Sequence, residues 1–514
     1  MNYQAKNLGA ILFIALIGVI FYALTLHGVP GNPVPALIKD NLDQATKPFE
    51  LSPERGRYAH VVALAETGHY ELSQEWANAV YPDVGYVNGK FYSFFAPGIS
   101  YMATPFYLLG KDYDLAQVFT FGFVSLISIL AMIFLYKIAR EILLLPVWAS
   151  LFAVLVFAFG STAWSYAITL YQHHITLFFI LSSFYAVWKY RAGGVASIFW
   201  AIFVWVQYAL AISIDYPNAI LMLPVMIYFL ASSFQIVTKE REYKVKFRLV
   251  ILYTFLVFIV ISGFHAYHNE RYFGDWKTVS GSITGYKTIL ERDLFAQENA
   301  ESEIEQLHQE KNIVGFFKEV NVPRGFYTLT VSPDRGIALY VPILLFGLLG
   351  IYRVRKTLTP EIVTLLGLIG VNFFLYSSWG DPWGGWAYGP RYLIPSMAFL
   401  SLFLSVWLSE GRIEISKKFL AFILFAYGSA VALLGALTTN AVPPKIEADF
   451  LGLKYNFFYN LGFFMDGKSG SFLYNTYFAH SISLQNYFLL IYLALLIIMT
   501  VVLFIVPLFE TKHD

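Results

Sequence analysis

Apolar stretches recur along this chain at about 8–26, 115–137, 146–164, 172–189, 195–213, 218–237, 248–266, 337–352, 361–378, 391–409, 418–438 and 486–508. Most have the roughly 17 to 25 residues that an α-helix needs to cross a hydrocarbon core. The pattern predicts an all-α polytopic membrane protein with about twelve transmembrane helices. Polar positions gather in long intervals between them, at 27–114, 267–336 and 439–485, with a shorter one at 379–390. These divide the chain into an N-terminal membrane module (1–266, including the loop 27–114), the loop 267–336, C-terminal helices (337–438), the loop 439–485, and a last helix with its tail (486–514). No small-residue cleavage site follows the first apolar stretch, which is therefore read as a retained helix.

Charge placement orients the bundle. Lys137/Arg140, Lys189/Arg191, Lys239–Arg248, Arg353–Lys356, Arg412–Lys418 and Lys512 all fall on one side, which the positive-inside rule makes cytoplasmic, with both termini. The long loops then share the outer face. With 57% hydrophobic residues the chain needs lipid to cover its surface. A net charge of +1 without a long basic run gives no footing for nucleic acid. The absence of cysteine excludes disulfides and thiolate chemistry.

Candidate chemistry lies in the outer loops. Ser52-Pro53-Glu54 reads as a helix start, followed by an amphipathic helix lying along the membrane. Its helical spacing puts Glu54, Arg57 and Tyr58 on one face. The plainer reading makes Ser52 a cap and Glu54 a partner of the positive helix end. Gly89 to Gly98, with Lys90 and Tyr92, reads as a turn before an apolar helix. Tyr171-Gln172-His173-His174 and Asp215-Tyr216-Pro217 stand at outer helix ends, where ionisable groups face a wet cavity or a packing partner. Two histidines and an aspartate are too dispersed along the chain to make a metal site from spacing. Asn269 to Gly274 and Ser332 to Gly336 each carry an arginine, Arg271 and Arg335. Trp379 to Tyr392 is the richest stretch, combining Asp381, Trp383, Trp386, Tyr388, Arg391 and Tyr392 with four glycines. Flat aromatic faces beside a fixed cation suit a sugar next to a phosphate, and equally an aromatic belt with a snorkelling arginine. The acidic stretch 291–311 reads as an exposed helix with no assignable chemistry.

Glu54-x-x-Arg57-Tyr58-Ala59, followed by Tyr92-Ser93-x-x-x-Pro97-Gly98, resembles the polytopic GT-C glycosyltransferases, in the branch of protein O-mannosyltransferases and lipid A aminoarabinose transferases. Asn269–Gly274, Ser332–Gly336 and Trp383–Leu393 extend the resemblance to uncharacterised bacterial and archaeal relatives, so that it covers about residues 8 to 440. It implies a GT-C-like bundle in a prokaryotic plasma membrane, with its active site on the outer face. It also implies inverting transfer of a sugar from a polyprenyl-phosphate donor, with Glu54 near the reaction centre. The acceptor would be a hydroxyl of a glycan, lipid or protein, and no metal or other cofactor is required. Related sequences carry an aspartate at position 54 and a lysine where this chain has Phe94-Phe95. Donor-phosphate binding is therefore assigned to Arg57, Lys90, His173, Arg271, Arg335 and Arg391. The sugar and acceptor pocket is assigned to Tyr58, Tyr92, His174, Asp215, Tyr216, Asp381, Trp383, Trp386, Tyr388 and Tyr392. A flippase for polyisoprenoid-linked sugars and an outer-face glycan polymerase or ligase are the alternatives.

Overall fold

A computed structural model of the protein describes residues 3–40, 48–194, 196–239, 242–285, 321–409 and 415–510. The stretch 291–311, Arg412 and Lys512 lie outside the described residues. The chain is mostly helical. After α1 (Tyr3–Thr25) come α2 (Ser52–Thr67), α3 (Gln74–Val80), a hairpin of β1 (Val84–Val87) and β2 (Lys90–Ser93), and α4 (Gly98–Lys111). Then follow α5 (Ala116–Lys137), α6 (Val147–Phe159), α7 (His173–Ala192), α8 (Ser197–Ile214), α9 (Leu223–Ser232), a second hairpin (β3 Phe234–Lys239, β4 Glu242–Phe247) and α10 (Val250–Phe273). The remainder includes α11 (Val322–Thr330), α12 (Gly347–Val354), α13 (Pro360–Ser377), α14 (Ile394–Ser409), α15 (Ile415–Leu437), α16 (Phe458–Met465) and α17 (Leu484–Thr500).

Among the described residues, 8 helices are long and apolar enough to cross a membrane, which makes this an integral membrane protein. Apolar helices at Val147–Phe159, Leu223–Ser232 and Pro342–Val354 are shorter. The predicted stretches at these three places were longer because apolar composition runs past the helix ends. Gly160 ends α6, β3 takes over after α9, and Val341-Pro342 breaks the helix leading into α12.

Helix α6 is apolar at nearly every position and buried at every one, since it packs against α1, α5, α14 and α15. Helix α14 is buried almost as completely and lies against α12, where small residues allow close approach. A Cβ on Gly350 would stand 1.8 Å from the Phe403 carbonyl oxygen, so only glycine fits there. Helix α10 keeps most of its apolar surface exposed, as a lipid-facing helix does.

The helix predicted from Ser52 is present as α2, but it is not amphipathic. Residues Glu54 to Val61 are buried on all sides. Helices α3 and α4 and strand β2 cover this part of it, so Glu54, Arg55 and Arg57 meet protein instead of water. The hairpin beside it turns at Asn88-Gly89, whose φ values of 51° and 79° are those of a two-residue type I′ turn. The interval 439–485 forms no long helix. Its backbone docks onto the ends of α1 and α15, with a bridge between His27 and Ser471.

Candidate active site

Five chain segments close around a cavity of about 190 Å³ at one end of the bundle. Helix α2 contributes Arg57, the segment after β2 Phe95, and the segment before α7 Tyr171 and Gln172. The turn after α8 brings Asp215 and Tyr216, while the last turn of α13 and the stretch that runs on to α14 bring Tyr376, Trp379, Arg391 and Tyr392.

Two guanidinium groups converge there. Arg57 donates from Nη1 to the Leu170 carbonyl at 2.9 Å and from Nη2 to Gln172 Oε1 at 2.7 Å. Its Cζ stands 5.0 Å from the centre of the Phe95 ring. Arg391 donates from Nη2 to the Gly384 carbonyl at 2.6 Å. The Nε of each is buried and has no hydrogen-bond partner among the described residues. Burial lowers the Arg57 pKa to about 10, with Asp215 acting against that fall, so the group stays charged at neutral pH. Burial pushes the Asp215 carboxyl up to about 6 against the pull of Arg57, and Gln172 Nε2 donates to its Oδ2 at 3.4 Å. One wall is aromatic, with Tyr376 and Tyr392 stacked at 4.4 Å and an interplanar angle of 5°. Trp379 lies 6.3 Å from Tyr392.

Glu54 is fully buried at the start of α2, beside the cavity-lining residues Pro53 and Arg57 but not itself in the lining. Its Oε2 accepts from the backbone N–H of Glu50 at 3.0 Å, and its Oε1 has no partner among the described residues. Burial first, and then the charge of Glu50, raise its carboxyl above the usual carboxylate range.

Of the other residues singled out in the sequence, His173 packs behind the cavity with its ring edge-on to Tyr392 at 6.1 Å. Tyr216 shares a hydrogen bond with Ser280 Oγ at 3.0 Å. Asp381 is half-buried beside the glycine turn that approaches Arg391. The remainder stand elsewhere. Lys90 is on β2, paired with Glu71 at 2.7 Å. Arg271 ends α10 and borders a separate groove with His265, His268 and Tyr101. Arg335 is fully buried, paired with Asp334 at 2.7 Å and donating to the carbonyls of Trp383, Gly385, Val442 and Pro443. These bonds tie three loops together, and Arg335 is not among the residues that line the cavity. Trp383 lines a different cavity, under Arg324 at 5.2 Å. Trp386 is exposed. Tyr388 is buried and donates to the Val431 carbonyl, and His174 Nε2 donates to the Ala163 carbonyl. Tyr58 packs on Phe49 at 4.8 Å, and Tyr92 packs on Phe273 at 5.3 Å.

Tyr376 and Phe95 were not anticipated as site residues: Tyr376 looks like ordinary membrane packing in its local sequence, and Phe95 is apolar where related sequences carry a lysine. Among the described residues no group of three or more His, Asp or Glu is arranged to hold a metal ion.

No family model matches the sequence, and no curated protein sequence matches it. Among solved structures, the chain is similar to the archaeal oligosaccharyltransferase AglB from Archaeoglobus fulgidus, in complex with an inhibitory peptide and a dolichol-phosphate. That match has a TM-score of 0.46 and 13% identity over 88% of this chain, which spans 58% of the length of the other. The chain is also similar to ArnT from Cupriavidus metallidurans bound to undecaprenyl phosphate, with a TM-score of 0.46 and 12% identity, covering 96% of this chain and 78% of that one. Structural similarity to these GT-C membrane glycosyltransferases thus extends over most of the chain at low identity.

Proposed function

We propose that this protein is an inverting glycosyltransferase that moves a sugar from a polyprenyl-phosphate donor to an acceptor hydroxyl on the outer face of a prokaryotic plasma membrane. In this reading about twelve helices span the bilayer and both termini are cytoplasmic. One observation carries the proposal. Among the described residues, two buried guanidinium groups, each with an unpaired Nε, converge on one aromatic-walled cavity lined by a single carboxylate. The local charge is unbalanced in favour of an anion.

The donor phosphodiester carries one negative charge, and the departing polyprenyl phosphate gains a second as the bond to the anomeric carbon breaks. Fixed cations are most useful where charge develops in this way, because they act on the transition state more than on the bound donor. Arg57 and Arg391 fill that role. Tyr376, Tyr392 and Trp379 form the flat wall against which a sugar ring packs. Asp215 accepts hydrogen bonds from sugar hydroxyls. Glu54 takes the acceptor's proton through its unpaired Oε1 as the oxygen attacks from the face opposite the phosphate.

The test is release of free polyprenyl phosphate from a panel of radiolabelled polyprenyl-phosphate sugars. Purified protein is supplied with host membrane extract as acceptor, and wild type is compared with Glu54→Gln and Arg391→Ala. Release that depends on both residues supports the proposal. A protein that binds or moves these lipids but cleaves none of them is a transporter, and the proposal falls.

A further inference from the structure

Behind the cavity wall, three titratable side chains meet where α1, the first outer loop and the last outer loop join. His27 Nε2 lies 2.8 Å from the Ala436 carbonyl oxygen. A carbonyl only accepts, so Nε2 carries a hydrogen and neutral His27 presents Nδ1 as a bare acceptor. Nδ1 faces Glu50 Oε1 at 3.5 Å. Two bare acceptors do not face each other without cost, so a proton belongs between them. Burial lowers the His27 pKa and raises that of Glu50, which favours the neutral pair with the proton on Glu50. The other Glu50 oxygen accepts from the Asn440 backbone N–H at 2.9 Å. The backbone N–H of the same Glu50 holds Glu54 Oε2 at 3.0 Å. His27 is seated against Gly470, where an added Cβ would stand 2.7 Å from the imidazole ring.

We infer that Glu50 and His27 are positioning residues for Glu54, a buried proton-holding pair that masks the charge of Glu50 so that the Glu54 carboxylate is available to the acceptor. This inference rests on the transferase reading. In the step it serves, the acceptor O–H bond breaks and its proton goes to Glu54 Oε1. The electron pair released on the oxygen forms the bond to the anomeric carbon. The pair of the broken anomeric carbon–oxygen bond leaves with polyprenyl phosphate. Two bare carboxylates at this spot would repel each other and raise the proton affinity of Glu54, leaving it occupied before the acceptor arrives. The other charged or titratable groups facing the cluster are Arg55 and Arg57 on α2, Asp83 across from Arg55, Tyr166 and Tyr171 before α7, and Arg391 beyond them. None of these exchanges a proton with Glu54 in the proposed step.

The experiment is the pH profile of kcat/KM for polyprenyl phosphate release, with donor binding measured alongside as the check of fold. Glu50→Gln fixes the neutral form that the pair maintains, so the acid limb keeps its wild-type position. His27→Leu removes the acceptor that keeps Glu50 protonated, so the limb moves to higher pH. Gly470→Ala displaces the His27 ring without removing a titratable group and moves the limb in the same direction as His27→Leu, which keeps the test open if that variant does not fold. A limb that stays put in the His27 and Gly470 variants that bind donor, or one that moves in Glu50→Gln, overturns the inference and leaves the transferase reading intact. Turnover that survives Glu54→Gln overturns the role of Glu54 as base, and the inference with it.

Discussion

Arg57 and Arg391 reach the same ring, their Cζ atoms 6.0 and 5.6 Å from the centre of Tyr171. They come from opposite ends of the sequence, and each contributes to the electrostatic environment of the other. Holding two buried cations side by side is costly unless anions offset them. Asp215 offsets one, and a substrate phosphate is the natural partner of the second.

Arg391→Ala should therefore cut kcat/KM for donor cleavage by roughly 100-fold, the usual loss when one donor to a developing anion is removed. Arg391→Lys should recover only part of that loss, because a point charge does not reproduce the planar fork. Steady-state kinetics on both variants provides the check. Wild-type rates in Arg391→Ala would remove this residue from the phosphate site.

Asp215 supplies a pH signature. Above about 6 its carboxylate opposes the bound phosphate, and below that value it is neutral. A phosphodiester keeps its single charge throughout this range, so donor affinity should rise as pH falls through about 6. The expected gain is roughly fivefold for like charges screened at the edge of a protein. Asp215→Asn should bind tightly at neutral pH and show no such rise. Titration of a labelled donor into detergent-solubilised protein measures both, and a flat wild-type profile would place Asp215 outside the field of the phosphate.

The membrane helices were legible because an apolar run of sufficient length has few other uses. The start of α2 was legible from Ser52-Pro53, yet its burial was not. A helix carrying Glu54, Arg55 and Arg57 looks like a surface element until the chain returns with Leu170 and Gln172 to receive Arg57. Arg57 and Arg391 stood in the sequence beside Lys90, Arg271 and Arg335 as chemically similar candidates. Only tertiary structure separates the two cations at the cavity from the one that clamps loops. The hairpin, by contrast, is written in Asn88-Gly89, a two-residue turn signal that stands close to the Pro97-Gly98 helix start.

Arg335 should behave differently from Arg391. Replacing it with Met leaves Asp334 buried without its cation and removes one donor from each of four loop carbonyls, a loss of roughly 3 to 5 kcal/mol for a broken buried pair. Thermal unfolding in detergent should show a lower midpoint, while the fraction that remains folded binds donor with near wild-type affinity. A variant with unchanged stability but lost donor binding would return Arg335 to the phosphate site.

The Gly384-Gly385 turn offers a test of how closely the wall fits Arg391. Both residues have positive φ, 77° and 61°, so an alanine at either costs about 1 kcal/mol in backbone strain. Their surroundings differ. A Cβ at Gly384 would stand 3.1 Å from Arg391 Nε and 3.1 Å from a Tyr392 ring carbon, whereas at Gly385 the nearest atom is Asp381 Oδ2 at 3.6 Å. Gly384→Ala should therefore displace the guanidinium as well as strain the turn, weakening donor binding well beyond the effect of Gly385→Ala at comparable thermal stability. Because backbone strain is common to both variants, the difference between their donor affinities isolates the position of Arg391. Equal affinities would mean that the guanidinium tolerates the added methyl and that its position does not depend on this turn.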